Sequence, residues 1–134
     1  MHVAAVVVLA TVLAAAAPWQ PHDSDLLFMS ARSGNSEVYV RASGDTTWTN
    51  LTRHPSRDNW PVWSPDGKTL AYCADRNGNF DIYIASGDGS QPSNATSHPA
   101  IDNFPTWSPD GRLTFVSNRD GGFDIFVEAV GSRS

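Results

Sequence analysis

Three features of the sequence predict an all-β fold made of repeated four-stranded antiparallel sheets. The stretch Asp58-Asn59-Trp60-Pro61-Val62-Trp63-Ser64-Pro65-Asp66-Gly67 returns 44 residues later as Asp102-Asn103-Phe104-Pro105-Thr106-Trp107-Ser108-Pro109-Asp110-Gly111. Short runs of strand-forming residues, such as Thr69 to Ala74, are bounded by clusters of Gly, Asn, Asp and Ser. Between Asp23 and Ser134 no stretch carries helical periodicity of any length. A fixed period of this size marks a stacked or radially repeated architecture.

The first 17 residues stand apart. Val3 to Ala17 is an unbroken run of Val, Ala, Leu and one Thr. That is short of the roughly 20 residues a membrane-spanning helix needs. It has the form of the apolar core of an export signal, closed by Ala15-Ala16-Ala17. Met1 and His2 stand where a Lys or Arg is usual, and Pro18 follows the cleavage point, so an uncleaved anchor and a misplaced start codon are the alternatives. No cysteine lies at this junction, which excludes lipid attachment there.

From Pro18 onward the 44-residue register extends well beyond the opening motif. Phe28 falls on Tyr72, Arg32 on Arg76, Gly34 on Gly78, Glu37 on Asp81 and Tyr39 on Tyr83. Leu51-Thr52-Arg53-His54-Pro55 falls on Ala95-Thr96-Ser97-His98-Pro99. After one dropped residue a third copy continues with Phe115, Arg119, Gly121, Asp124 and Phe126. Trp19 and Pro21 fall on Trp63 and Pro65, so the first copy starts near the leader with a degenerate opening turn. The expected units are therefore a leader at 1–17, a first repeat at 18–60, a second at 61–104 and a partial third at 105–134.

Within the second repeat each element has a local reason. Pro61 to Ser64 is read as a first strand placed just after a proline, which would interrupt a longer ladder. Ser64-Pro65-Asp66-Gly67 is a turn: Pro sets φ, Asp bonds nearby backbone and Gly accepts a positive φ. Thr69 to Ala74 is the second strand, Asp75 to Asn79 a second turn, and Phe80 to Ile84 the third strand. Ser86 to Gly89 turns again toward a short fourth strand near Ala95-Thr96. Four short strands per 44 residues or so describe one blade of a β-propeller. Fewer than three blades are present, and propellers close with four to eight, so the ring is incomplete. A fragment of a longer chain, a ring completed by further copies and a short open stack are the three outcomes.

The pattern Pro-x-Trp-Ser-Pro-Asp-Gly, an Asx-Arg-Asx-Gly turn and an Asp-Ile-Tyr or Asp-Ile-Phe strand resembles the WD-like propeller repeat of the TolB family. The resemblance runs from Trp19 to Val130 and leaves no room for the α/β domain that precedes the propeller in TolB. It implies a non-catalytic, exported module of the bacterial periplasm or secreted fraction, binding a protein or other ligand. The same repeats also resemble propellers that gate prolyl-oligopeptidase-type serine peptidases and those of certain polysaccharide lyases, so the opening part of such an enzyme is the alternative. A self-assembling structural module is a third.

Chemistry-bearing residues are scarce. The net charge of −5 argues against nucleic acid or anionic membrane as a partner. The single cysteine, Cys73, falls on Met29 and Val116 and reads as a buried hydrophobe. No Gly-x-Ser-x-Gly elbow is present. Asp75 to Asp81 is rich in oxygen donors but lacks the glycine and glutamate positions of a calcium loop. His54 and His98 recur one repeat apart, with too few partners for a metal site, so neither a metal nor a cofactor is expected. Asn50 and Asn94 lie in Asn-x-Ser/Thr sites at equivalent strand positions, a structural reading. Arg76 with Asp81, and Arg119 with Asp124, are expected to pair across their turns or with a neighbouring blade. The binding candidates are the segments before each first strand, which the resemblance places on one rim near the channel: His54, Arg57, Asp58 and Trp60 in one blade, His98, Ile101, Asp102 and Phe104 in the next. Exposed aromatics of this kind are frequent interface anchors.

Overall fold

The computed structural model describes residues 25–131. These form three antiparallel sheets. The first contains β1 (Leu26–Ser30), β2 (Glu37–Arg41) and β3 (Thr49–Asn50). The middle sheet contains β4 (Asp58–Trp63), β5 (Thr69–Ala74), β6 (Asp81–Ser86) and β7 (Ser93–Asn94). The third contains β8 (Asp102–Trp107), β9 (Leu113–Ser117) and β10 (Asp124–Glu128). Each sheet is a meander, with strands paired in chain order. Among the described residues there is thus one four-stranded sheet flanked by two three-stranded ones, less than three full blades. The leader and the Trp19–Pro21 echo lie outside the described residues.

The middle sheet explains why the chain stacks. Its strands alternate side chains between two faces. Leu70, Tyr72, Ala74, Tyr83 and Ala85 pack with Val38 of the first sheet, and Leu27, Leu51 and Trp63 close that cluster. Ala71, Cys73, Ile82 and Ile84 pack with Leu113 and Phe115 of the third sheet, with Val62, Trp107 and Phe126 against them. Both faces are dry, so β5 and β6 read as continuous apolar runs. We call the face toward the preceding sheet leading and the other trailing. Leading faces carry a stacked aromatic pair: Phe28 with Tyr39, Tyr72 with Tyr83, and Phe115 with Phe126, their ring centroids about 6 Å apart. Trailing faces carry aliphatic side chains.

One arginine per sheet lies over each aromatic pair. Arg32 sits 5.5 and 5.0 Å from the Phe28 and Tyr39 centroids, Arg76 5.5 and 4.6 Å from Tyr72 and Tyr83, and Arg119 5.1 and 4.8 Å from Phe115 and Phe126. The ion pairs these arginines make differ from the sequence expectation. Arg76 pairs with Asp58 at 3.3 Å, and Arg119 with Asp102 at 3.1 Å and Glu128 at 3.2 Å. Asp81 instead accepts hydrogen bonds from the amides of Asn79 and Asn94, and Asp124 is exposed. The reason is geometric. The turn after the second strand delivers the guanidinium beside the start of the first strand, whereas Asp81 is already surrounded by amide donors.

Strand limits also shift. β4 and β8 begin at Asp58 and Asp102 and run through Pro61 and Pro105, three residues ahead of the expected start. A bulge admits the proline: Asn59 pairs with Cys73 and Val62 with Ala71, so Trp60 and Pro61 together face one residue of β5. The same irregularity lies between Asn103 and Thr106. A proline that cannot donate to a ladder is tolerated at such a bulge. The last strand of the middle sheet lies at Ser93–Asn94 rather than Ala95-Thr96. The pairing continues there, because Ala95 N–H donates to the Ile82 carbonyl and Ile82 N–H to Thr96 Oγ1.

The Ser-Pro-Asp-Gly turns behave as their composition predicts. Gly67 N–H donates to the Ser64 carbonyl at 2.8 Å, with Gly67 at φ +69°, and Gly111 repeats this with Ser108. Ser64 Oγ–H donates to Asp66 Oδ1, and Ser108 Oγ–H to Asp110 Oδ1. These serine hydrogen bonds hold both aspartates below the usual carboxylate range.

Two measurements follow from this packing. Gly89 has φ +83°, and a Cβ placed there would stand 2.5 Å from the Leu51 carbonyl oxygen and 2.9 Å from its Cβ, whereas at Gly44 (φ +84°) the space is open. Gly44→Ala is expected to cost about 1–2 kcal/mol, from the left-handed backbone alone. Gly89→Ala should cost about 1–3 kcal/mol more, because the first sheet must shift. Equal urea midpoints for the two variants would contradict the sheet–sheet contact. The second concerns Asp58, whose carboxyl burial pushes above its ordinary 3.8, with Arg76 and then Thr52 pulling it back only in part. A group that binds its proton more tightly when folded contributes stability that is full below the unfolded pKa and lost as pH rises through the folded one. Asp58→Asn removes that titration. Its unfolding free energy relative to wild type should therefore rise as pH increases through and above the ordinary carboxylate value of 3.8. A constant difference across this range would refute the assignment.

Candidate functional site

The bulges in β4 and β8 place two aromatic side chains side by side. Trp60 and Phe104 occupy equivalent positions, and their ring centroids are 4.7 Å apart with planes tilted by 54°. Both have positive φ, +48° and +54°. Left-handed backbone at a bulky non-glycine residue costs on the order of 1–3 kcal/mol. Positive φ also recurs at the matching pair Arg53 and Ser97 and at Gln91, but at Trp60 and Phe104 its product is a pair of rings aimed away from the core. Trp60 is 37% exposed and Phe104 52%. Ile101, exposed just before β8, adds a third apolar side chain near the start of that strand.

The remaining rim candidates are committed to local structure. Asp58 and Asp102 are fully buried beneath their arginines and face away from solvent. Arg57 donates from Nε to Asp75 Oδ2 at 2.8 Å, and its guanidinium covers the Phe80 ring at 5.1 Å. Burial raises the Asp75 carboxyl, but the hydrogen bonds and charge of Arg57 outweigh it and bring the group below its ordinary value. His54 Nδ1 accepts the Ser56 N–H at 3.1 Å, and His98 Nδ1 accepts the Ala100 N–H at 3.0 Å. Both histidines thus brace the linker entering the next strand. Their Nδ1 lone pairs are used there, and among the described residues no three His, Cys, Asp or Glu side chains gather as a metal site.

Cys73 is equally occupied. Its Sγ–H lies 2.9 Å from Asn103 Oδ1 and 3.3 Å from the Asp102 carbonyl. Burial, reinforced by Asp81 and Asp102, pushes the thiol up to about 12, which removes it as a nucleophile near neutral pH.

One concave feature was not anticipated from sequence. A cleft of about 450 Å³ opens between the two Ser-Pro-Asp-Gly turns, lined by Asp66, Lys68, Trp107, Asp110 and Val130. Its aspartates are tied to Ser64 and Ser108, and Trp107 Nε1–H donates to the Val62 carbonyl at 3.4 Å. The cleft therefore offers shape and few free polar groups. For the Trp60–Phe104 pair the sequence did hold a signal: an aromatic–proline dipeptide repeated inside a strand-forming run.

Comparison with known proteins agrees with this architecture. The profile of the TolB beta propeller domain matches residues 3–96 and again residues 59–134. No curated protein matches the chain in sequence. Among solved structures it is similar to a protein assigned as TolB from Agrobacterium tumefaciens, at 27% identity and a TM-score of 0.69, over 82% of this chain and 42% of that one. It is also similar to TolB from Acinetobacter baumannii, at 25% identity and a TM-score of 0.70, over 87% of this chain and 30% of that one. The chain thus spans less than half the length of either structural relative. With its repeated antiparallel sheets and two overlapping profile matches, the chain belongs to the TolB β-propeller domain family.

Proposed function

We propose that this chain is a non-catalytic, exported binding module that captures an extended segment of a partner protein on the Trp60–Phe104 pair. The observation that carries the reading is the repeated strain: two bulky residues held at positive φ so that their rings meet at the surface. Backbone strain of this kind persists where surrounding structure over-determines it, and it clusters at binding sites. Large, rigid aromatic surfaces are the side chains most often found as interface anchors. Ile101 is a further exposed apolar side chain just before β8, while Arg57, His54 and His98 hold the linkers that lead into β4 and β8.

Family membership supports a protein ligand, and among the described rim residues Arg57, Asp58 and Asp102 are engaged in ion pairs. The apolar run Val3–Ala17 and the resemblance to TolB support export to the bacterial cell envelope. The division we propose is a leader at 1–17 followed by repeats that meet near residues 60 and 104.

Selection of a random peptide library on the wild-type protein should enrich sequences with spaced apolar side chains. A Trp60→Asn/Phe104→Asn double variant should lose that enrichment, because asparagine accepts the left-handed backbone but offers no ring. Its unfolding free energy should stay within about 1 kcal/mol of wild type or rise. No enrichment by wild type, or equal enrichment by the variant, overturns the binding site. Export is tested separately by sequencing the N-terminus of the chain recovered from the cell envelope. A mature chain beginning at Pro18 is expected; recovery of the chain starting at Met1 in the cytoplasm alone refutes it.

A further inference from the structure

An asparagine stands directly before each exposed ring: Asn59 before Trp60, and Asn103 before Phe104. Both are half-buried, and each is tethered through its side-chain oxygen to the sheet before it. Ser36 Oγ–H donates to Asn59 Oδ1 at 2.6 Å, and Cys73 Sγ–H donates to Asn103 Oδ1 at 2.9 Å. Cys73 is in turn the cross-strand partner of Asn59. The two amides therefore follow one another across the sheet boundary, as the two rings do. Neither Nδ2 has an acceptor among the described residues, and neither is sealed from water.

Other half-buried asparagines use their amide donors inside the fold. Asn35 Nδ2 donates to the carbonyls of His54 and Ser56, and Asn79 Nδ2 to those of His98 and Ala100. Asn94 Nδ2 donates to Asp81 Oδ2. The pair beside the rings has its acceptor end occupied and its donor end open. An amide held by its oxygen offers only N–H, so it selects an acceptor in a ligand. The rings lack this ability. A peptide laid over Trp60 and Phe104 would take backbone carbonyls out of water, and a buried carbonyl without a donor is unfavourable. Two open amide donors beside the rings answer that need.

We propose that Asn59 and Asn103 are specificity-determining residues of the Trp60–Phe104 site, their Nδ2 groups donating to backbone carbonyls of the segment bound there. The inference rests on the peptide-binding reading and adds what the rings cannot select. Apolar rings accept any apolar group, whereas fixed N–H donors beside them require a main chain with carbonyls turned the same way. The site takes its residues from β4 and β8 alone.

Peptides selected on the wild-type full chain supply the probe, and fluorescence polarisation of the labelled peptide reads affinity. Asn59→Asp and Asn103→Asp keep the oxygen that Ser36 and Cys73 reach and exchange the open N–H for a carboxylate oxygen. Each should weaken binding about tenfold, the loss of one hydrogen bond with repulsion added, and the double variant should weaken it further. Peptides with single amide-to-ester replacements, whose carbonyls are poorer acceptors, test the same contact on the unaltered protein. An ester at one or two positions should weaken binding to wild type and cost nothing further on the double aspartate variant. Three results overturn the inference while leaving peptide binding by the rings intact. These are aspartate variants that bind as tightly as wild type, an ester scan with no effect on wild type, or ester effects undiminished on the double variant. A wild type that selects no peptide overturns this inference and the binding reading together.

Discussion

Among the described residues, the middle and third sheets each pack an aromatic leading face against the aliphatic trailing face of the sheet before. Neither face is stable in water. Tyr72, Phe115, Leu70, Ile82 and Leu113 are essentially inaccessible, and burying side chains of this size is worth roughly 1.5–3 kcal/mol each. A single four-stranded sheet of this composition would leave both of its apolar faces wet. The middle sheet reaches full burial only because it has a neighbour on each side, which is the reason a repeat of this kind is found in series.

The arginine over each aromatic pair makes the packing specific. Arg76 reaches from the turn after β5, covers rings on β5 and β6, and closes on Asp58 at the start of β4. Three strands are thereby joined by one side chain, inside a region where a misplaced charge would be costly. Arg119 repeats the arrangement with Asp102. The first sheet uses another solution: Arg32 is stacked with Trp48 as well as with Phe28 and Tyr39. The same cation therefore serves as an internal fastener in the middle and third sheets and as surface cover in the first.

Much of this was legible in the residues. The 44-residue register, the Ser-Pro-Asp-Gly turns and the strand Thr69–Ala74 come from local chemistry: proline and glycine at turn positions, and alternation between them. Trp60 and Phe104 were singled out as rim aromatics, and they are exposed and adjacent. Asp58 and Asp102, singled out beside them, lie buried under arginines that a sequence cannot aim. Asp81 looked the nearer partner for Arg76, because turn neighbours are close in sequence; the pleat puts the guanidinium beside a strand 18 residues upstream instead.

The sequence by itself determined the all-β class, the period, the turns and the apolar identity of the faces, because these rest on steric preference and on spacing along the chain. Tertiary structure alone decided which charges pair, that a strand runs through Pro61 on a bulge, and that two rings meet across a sheet boundary at positive φ. Those outcomes depend on distances between segments remote in sequence: strand pairing within a sheet sets them for the charges and the bulge, and stacking of two sheets sets them for the rings.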